Sequence, residues 1–195
     1  MTKCYLALPL PTSLNKLYTS QYSGGRFTGA KILSKEGKKN RYDIMLNVER
    51  QMSEECNLDW DIEYTREHYI YMDIVAYVTR QTVDLDNTLK SLNDSIEESG
   101  LVFLNDKKVV PRFNRVYVDA NNPRVEITFS QTGWKGIMDS EQMFNDFMNK
   151  CSSCSRYRKG ACSILKKTTK ENKIVPEVVL NRNATPTCLK YKERK

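Results

Sequence analysis

Two aspartates one residue apart, Asp84 and Asp86, open the run "DLDNTLKSLNDSIEESGLVFLND" (84–106), and a third, Asp106, closes it. In an extended chain, residues i and i+2 point to the same face, so two carboxylates can converge on one hard cation. Mg²⁺ takes oxygen ligands, usually only one or two carboxylates, and completes its shell with water and substrate phosphate. Lys90 stands one turn into a helix from Asp86 and can reach a phosphate or a leaving oxygen. Acids and a lysine without a nucleophile–base pair fit metal-assisted phosphodiester hydrolysis, with the ion activating water and neutralising charge at phosphorus. Helix capping is a second account of the first pair, because carboxylates are favoured where unpaired backbone N–H groups point outward. On spacing alone both accounts stay open. The single histidine, His68, falls inside a predicted strand and is read as structural.

A second set of chemically capable residues lies near the C-terminus. Cys151, Cys154, Cys162 and Cys188 follow the pattern C-x2-C-x7-C-x25-C. The C-x2-C step lets two thiolates grip one ion, and four thiolates make a closed structural Zn²⁺ site. An iron–sulfur cluster and unliganded thiols are the alternatives. Arg156, Arg158, Lys159, Lys166 and Lys167 surround the proposed knuckle, where they would either grip DNA arms or form a solvated basic tail. Cys4 and Cys56 are expected to be ordinary reduced thiols.

The elements that must position these groups follow from periodicity. "CYLALPLP" reads as a first strand that ends in a turn, and "YSGGRFTGA" as a Gly-rich connection. Ser34 to Cys56 resembles a long surface helix, and residues 68–80, "HYIYMDIVAYVTR", a strand. Asp86 or Asn87 can cap the next helix; Leu85, Leu89, Leu92 and Ile96 form its apolar stripe, and Gly100 stops it. "KVVPRFNRVYVDA" and "RVEITFS" predict two more strands. The order β, α, β, α, β, β predicts an α/β (α+β) fold, a small mixed sheet with two helices packed on one face. Residues 138–150 place Met143, Phe144 and Phe147 at helical spacing, and a boundary is expected near 135. Residues 1–135 then form one domain, and 136–195 a small basic Cys-rich module.

Charge divides the same way. Residues 1–135 hold 18 Lys and Arg against 18 Asp and Glu, whereas residues 136–195 hold 13 against 6. The excess of +7 sits in the last 60 residues and implies an anionic partner. Within the neutral part, residues 15–42 carry seven Lys or Arg against one Glu, interleaved with Tyr18, Tyr22, Phe27 and Tyr42. Basic side chains with aromatic neighbours suit a phosphate backbone with exposed bases, and they equally suit a solvated loop and helix face. No apolar run approaches the roughly 20 residues that span a bilayer. No small-residue cleavage site follows the start, so a soluble, cytoplasmic protein without a membrane partner is expected.

The run 84–106 closely resembles the signature of RusA-type Holliday junction resolvases, in which D-x-D-N is followed by Lys, then Asp, then a return acid. "LPLPTSLNKLY" resembles the family's opening pattern through Pro9, Pro11, Ser13, Asn15 and Tyr18, and "SKEGKKNR" a further stretch through Ser34, Glu36, Gly37 and Arg41. The resemblance implies a RusA-like fold over about the first 130 residues. It also implies a homodimeric endonuclease that resolves four-way DNA junctions with Mg²⁺ or Mn²⁺ by paired nicks. By position, Asp84, Asp86 and Asp106 take the metal-binding catalytic roles and Lys90 the catalytic lysine. Asp94, four residues after Lys90, is read as its ion-pair partner. Candidate DNA contacts are Asn15, Lys16, Arg26, Lys38, Lys39, Arg41 and Arg80. The alternative from another class is a non-catalytic binder of branched or single-stranded nucleic acid with a zinc-stapled tail.

Overall fold

Strict alternation of apolar residues builds the sheet. Strand β1 (Lys3–Pro9) buries Cys4, Leu6 and Leu8, β4 (Ile70–Val78) buries every second residue from Ile70 to Val78, and β6 (Arg124–Gln131) buries Val125, Ile127 and Phe129. A period of two places all of these on one face. With β5 (Val109–Val118) they form a four-stranded sheet of order β1-β6-β4-β5 in a computed structural model that describes residues 2–180 and 185–194. Strand β6 runs antiparallel to both β1 and β4, whereas β4 and β5 are parallel. A parallel pair needs a crossover, and α4 (Asp86–Ser99) supplies it. Ile44 and Val48 of α2 (Lys35–Met52) and Leu92 and Ile96 of α4 complete the core over the apolar face. The expected mixed sheet with two helices on one face is therefore present.

Several local expectations are corrected. The Gly-rich connection is a two-stranded hairpin of β2 (Tyr18–Ser23) and β3 (Arg26–Leu33), turned by Gly24 and Gly25 at φ 56° and 79°. It follows a one-turn helix, α1 (Leu14–Leu17). Helix α2 stops at Met52 rather than reaching Cys56, and a 3-10 turn at Glu55–Asn57 follows. His68 is not inside a strand: it caps the C-terminus of α3 (Ile62–Glu67), and its ring stacks on Tyr64 at 4.4 Å. Neither Asp86 nor Asn87 caps α4. Leu85 occupies the N-cap position without a side-chain bond, and Thr88 closes the turn through its N–H and hydroxyl to the Leu85 carbonyl.

Strand β1 is an edge of the sheet, yet much of its outer rim is paired. The Asn57 amide accepts from Tyr5 N–H at 2.7 Å and donates to Tyr5 C=O at 2.9 Å. Gln51 does the same for Ala7, at 2.7 and 2.8 Å. Asn40 accepts from Thr12 N–H and donates to Leu10 C=O just past the strand. Side-chain amides thus take the place of a neighbouring strand and blunt an edge that would otherwise recruit one.

By backbone proximity the chain divides into two compact units, Met1–Thr132 and Gly133–Lys195. The second contains α5 (Glu141–Ser152), α6 (Ser163–Thr169) and the two-residue strands β7 (Val178–Val179) and β8 (Thr187–Cys188). Its buried apolar set is Met138, Phe147, Leu165, Val175 and Val178.

Candidate active site

The first helical turn of α4 meets the loop after β1 across a cleft of about 830 Å³. Its walls come from five places: the segment Leu10–Ser13 with Asn15 and Lys16, the first half of α2, the loop after β4, the start of α4, and Pro123 in the turn before β6. Asn40 fixes the first wall, because both of its amide bonds hold the backbone of Leu10 and Thr12. Ser34 fixes the next, accepting from Gly37 N–H at the α2 N-terminus and donating to Lys16 C=O at 2.7 Å.

Asp84 borders this cleft and Asp86 begins α4; both side chains are exposed. The extended geometry expected of the pair is not adopted, since Leu85 between them is helical at φ −71° and ψ −31°. Asn87 donates to Asp84 Oδ2 at 2.5 Å and fixes that carboxylate on the cleft rim. Asp86, Lys90 and Asp94 succeed one another at i, i+4 and i+8, so they share one helix face over roughly 12 Å. Lys90 Nζ donates to Asp94 at 3.1 Å, and that bond, reinforced by the charges of Asp94, Tyr18 and Asp106, raises its pKa above the ordinary lysine value. The ion pair thus favours the cationic form of Lys90. Asp106 sits in a 3-10 turn, and its N–H donates to Glu97 Oε1 at 3.3 Å, tying the return acid back to α4.

Among the described residues, no three His, Cys, Asp or Glu side chains stand at the spacing that would hold a metal ion. The acids nevertheless suit a hard cation by their chemistry. No salt bridge engages Asp84, Asp86 or Asp106 among the described residues, and the carboxylates of the first two are open to solvent.

Of the candidate DNA contacts, Asn15, Lys16, Lys39 and Arg80 line the cleft, and Lys39 is paired with Asp43 at 2.7 Å. Lys38 is exposed on α2, and Arg26 is exposed on the hairpin. Arg41 faces elsewhere: it is ion-paired with Glu98 and lines a small niche beside Leu17, Asp94 and Ser95. Sequence reasoning missed Asn40, Asp43 and Glu97 as parts of this framework. Amides and acids on a polar helix face carry no local signature of what they will hold.

The profile of the endodeoxyribonuclease RusA family matches residues 25–130, more than half of the chain. The chain belongs to the RusA family of Holliday junction resolvases. The match runs from the turn of the β2–β3 hairpin to the end of β6 and so takes in the DxDN run, Lys90 and Asp106. RusA membership makes the protein an endodeoxyribonuclease, a hydrolase of DNA phosphodiester bonds. No curated protein matches the chain. The second unit lies outside the RusA match. No helix among the described residues is long and apolar enough to cross a membrane.

Proposed function

We propose that this protein is a homodimeric, Mg²⁺- or Mn²⁺-dependent enzyme that resolves four-way DNA junctions during recombination and repair in the cytoplasm. The observation that carries the reading is the arrangement around α4. Open carboxylates stand at its N-terminal end, a lysine held cationic stands one turn along, and a return acid lies within the field of that lysine. Asp84, Asp86 and Asp106 are the carboxylates from which the cation would take its protein ligands, with water and a DNA phosphate completing its oxygen shell. The ion supplies charge neutralisation at the phosphodiester. Lys90 approaches the scissile phosphate from the helix face and stabilises the charge that grows on its oxygens. Asp94 aims Lys90, and Asn87 keeps the Asp84 carboxylate on the rim. Lys16, Lys39 and Arg80 offset the acids along the cleft, so a strand can approach a unit of balanced charge.

The test is a synthetic four-way junction incubated with Mg²⁺ and either the wild-type protein or the Asp86→Asn variant. Paired symmetric nicks that disappear in the variant, while junction binding survives, support the enzyme. Tight binding with no metal-dependent cutting by either protein would establish a non-catalytic junction binder instead. Sedimentation of the free protein checks the dimer, which predicts twice the chain mass of 22.7 kDa.

A further inference from the structure

Gly133–Lys195 is held together by little apolar packing. Among the described residues only five apolar side chains of its cluster are buried, its strands are two residues long, and α6 has seven residues. Small units of this kind usually rely on disulfides or a metal, because so small a core does not offset the entropy of ordering the chain. None of the six cysteines is in a disulfide. Four of them are gathered in this unit.

Cys151, Cys154, Cys162 and Cys188 line one cavity of about 420 Å³. They come from different parts of the unit. Cys151 is in the last turn of α5, Cys154 lies in the turn after it, Cys162 precedes α6 and Cys188 is in β8. The turns that present them are tight. Cys154 N–H donates to Cys151 C=O at 3.0 Å, Tyr157 N–H to Cys154 C=O at 3.0 Å, and Tyr191 N–H to Cys188 C=O at 3.1 Å. Between Cys154 and Cys162 the chain reverses through Arg158 and Ala161, which exchange both backbone bonds, with Lys159 and Gly160 at positive φ. The backbone N–H groups of Arg156, Tyr157 and Lys192 also bond to the Cys154 sulfur and fix its position.

We infer that this cavity is a tetrathiolate zinc site, formed by Cys151, Cys154, Cys162 and Cys188, whose ion locks the C-terminal unit. The thiols surround the cavity without closing to ion-holding distance, so loading draws them inward. Two thiols from a C-x2-C turn and two single thiols from separate elements suit one tetrahedral ion with no open position, which is a structural site. Four thiolates around a divalent ion leave two negative charges. Lys150 and Arg156 line the same cavity and offset them. The inference does not depend on the nuclease reading, since its residues lie outside the RusA match.

The test uses the full chain, purified under reducing conditions without chelator. Elemental analysis is expected to find about one zinc per chain, as a closed four-ligand site requires. The same value is expected for Asp86→Asn and for Cys56→Ser, whose exposed thiol is outside the cavity. Cys154→Ser and Cys188→Ser should each lose most of the zinc. Should those variants be insoluble, Co²⁺ titration of the wild-type protein decides, because tetrahedral cobalt thiolate has intense visible bands. A protein with no zinc and no such bands overturns the inference. So does iron with broad visible absorption, which marks a cluster, and so does zinc lost with Asp86→Asn but retained by Cys154→Ser.

Discussion

Replacing Asn57 by Ala removes the principal fastener of the sheet's edge, and its cost can be worked from the bonds it makes. Asn57 is 1% exposed and makes three hydrogen bonds, with Tyr5 N–H, Tyr5 C=O and Gln51 C=O. Each such bond contributes about 1 kcal/mol net, so Asn57→Ala is expected to cost about 3 kcal/mol. Water can reach part of the vacated rim, which makes this an upper figure. With a urea slope of about 2 kcal/mol/M, the midpoint should fall by about 1.5 M. Trp60 is a suitable reporter, because its ring is in the main core and its N–H donates to Val102 C=O at 2.7 Å. A Trp134→Phe background leaves it as the only indole, since the chain has two. Asn47→Ala is the control: Asn47 is on α2, ahead of the 3-10 turn that holds Asn57, and its side chain bonds within that helix, to Asp43 C=O and Arg50. A midpoint shift below about 0.5 M for Asn57→Ala, or one equal to the control, would refute the role of the amide as a substitute strand. Asn57→Asp sharpens the case. A carboxylate keeps the acceptor for Tyr5 N–H but faces two carbonyls, so its pKa is raised in the folded state. The variant is therefore least stable above the raised folded-state value, and its deficit relative to wild type shrinks as pH falls through that value towards the unfolded carboxyl value of about 3.9.

Other expectations are more directly catalytic. Lys90→Ala should lower junction cleavage by about a hundredfold or more at unchanged binding, the usual effect of removing one preorganised charge from a transition state. Asp94→Asn should change stability by less than about 0.5 kcal/mol, because the pair is exposed, yet reduce cleavage by misaiming the lysine. It should also bring the loss of activity at alkaline pH to a lower value, since the Asp94 bond is what raises the Lys90 pKa. An unchanged pH profile for Asp94→Asn would dissociate that pair from the chemistry. Tyr22→Ala with Phe27→Ala, two exposed rings 5.9 Å apart on the hairpin, should weaken junction binding and leave the urea midpoint within error. Gly37→Ala should destabilise by about 1–3 kcal/mol although Ala is the better helix former, because its Cβ would lie 2.7 Å from the Leu17 carbonyl oxygen. A stabilised Gly37→Ala protein would show that α1 can move away from α2.

The sheet was legible because its inner faces alternate without exception in β1, β4 and β6, and α4 because its stripe and the Gly100 stop agree. The β2–β3 hairpin was not, since almost every residue in it is exposed and no alternation of burial is imposed on its sequence. Its one signal was Gly-Gly flanked by β-prone residues, the marker of a tight hairpin turn. The helix-capping account of Asp84 and Asp86 failed for a related reason. Cap preferences describe isolated helix ends, and here Thr88 closes the first turn with its own hydroxyl at 2.7 Å, so neither carboxylate is held as a cap, and Asp84 accepts from the Asn87 side chain instead.

That release of the two acids ties the fold to the chemistry. A carboxylate consumed in capping would be held against backbone N–H groups and poorly able to share a cation with phosphate. Thr88, 3% exposed, buries its methyl group and satisfies the turn, so Asp84 remains on the rim of the cleft and Asp86 on the exposed surface of α4. Position 88 is then as much a part of the site as the acids beside it. Thr88→Val keeps the shape and removes the hydroxyl, which gives one of the carboxylates a reason to turn inward as a cap. Thr88→Ser restores the hydroxyl while losing the methyl. If the hydroxyl is what frees the acids, Thr88→Val should require a higher Mg²⁺ concentration for half-maximal cleavage, and Thr88→Ser should retain the wild-type requirement despite a lower urea midpoint. Equal Mg²⁺ requirements in the two variants would mean that Asp84 and Asp86 are placed by the backbone alone.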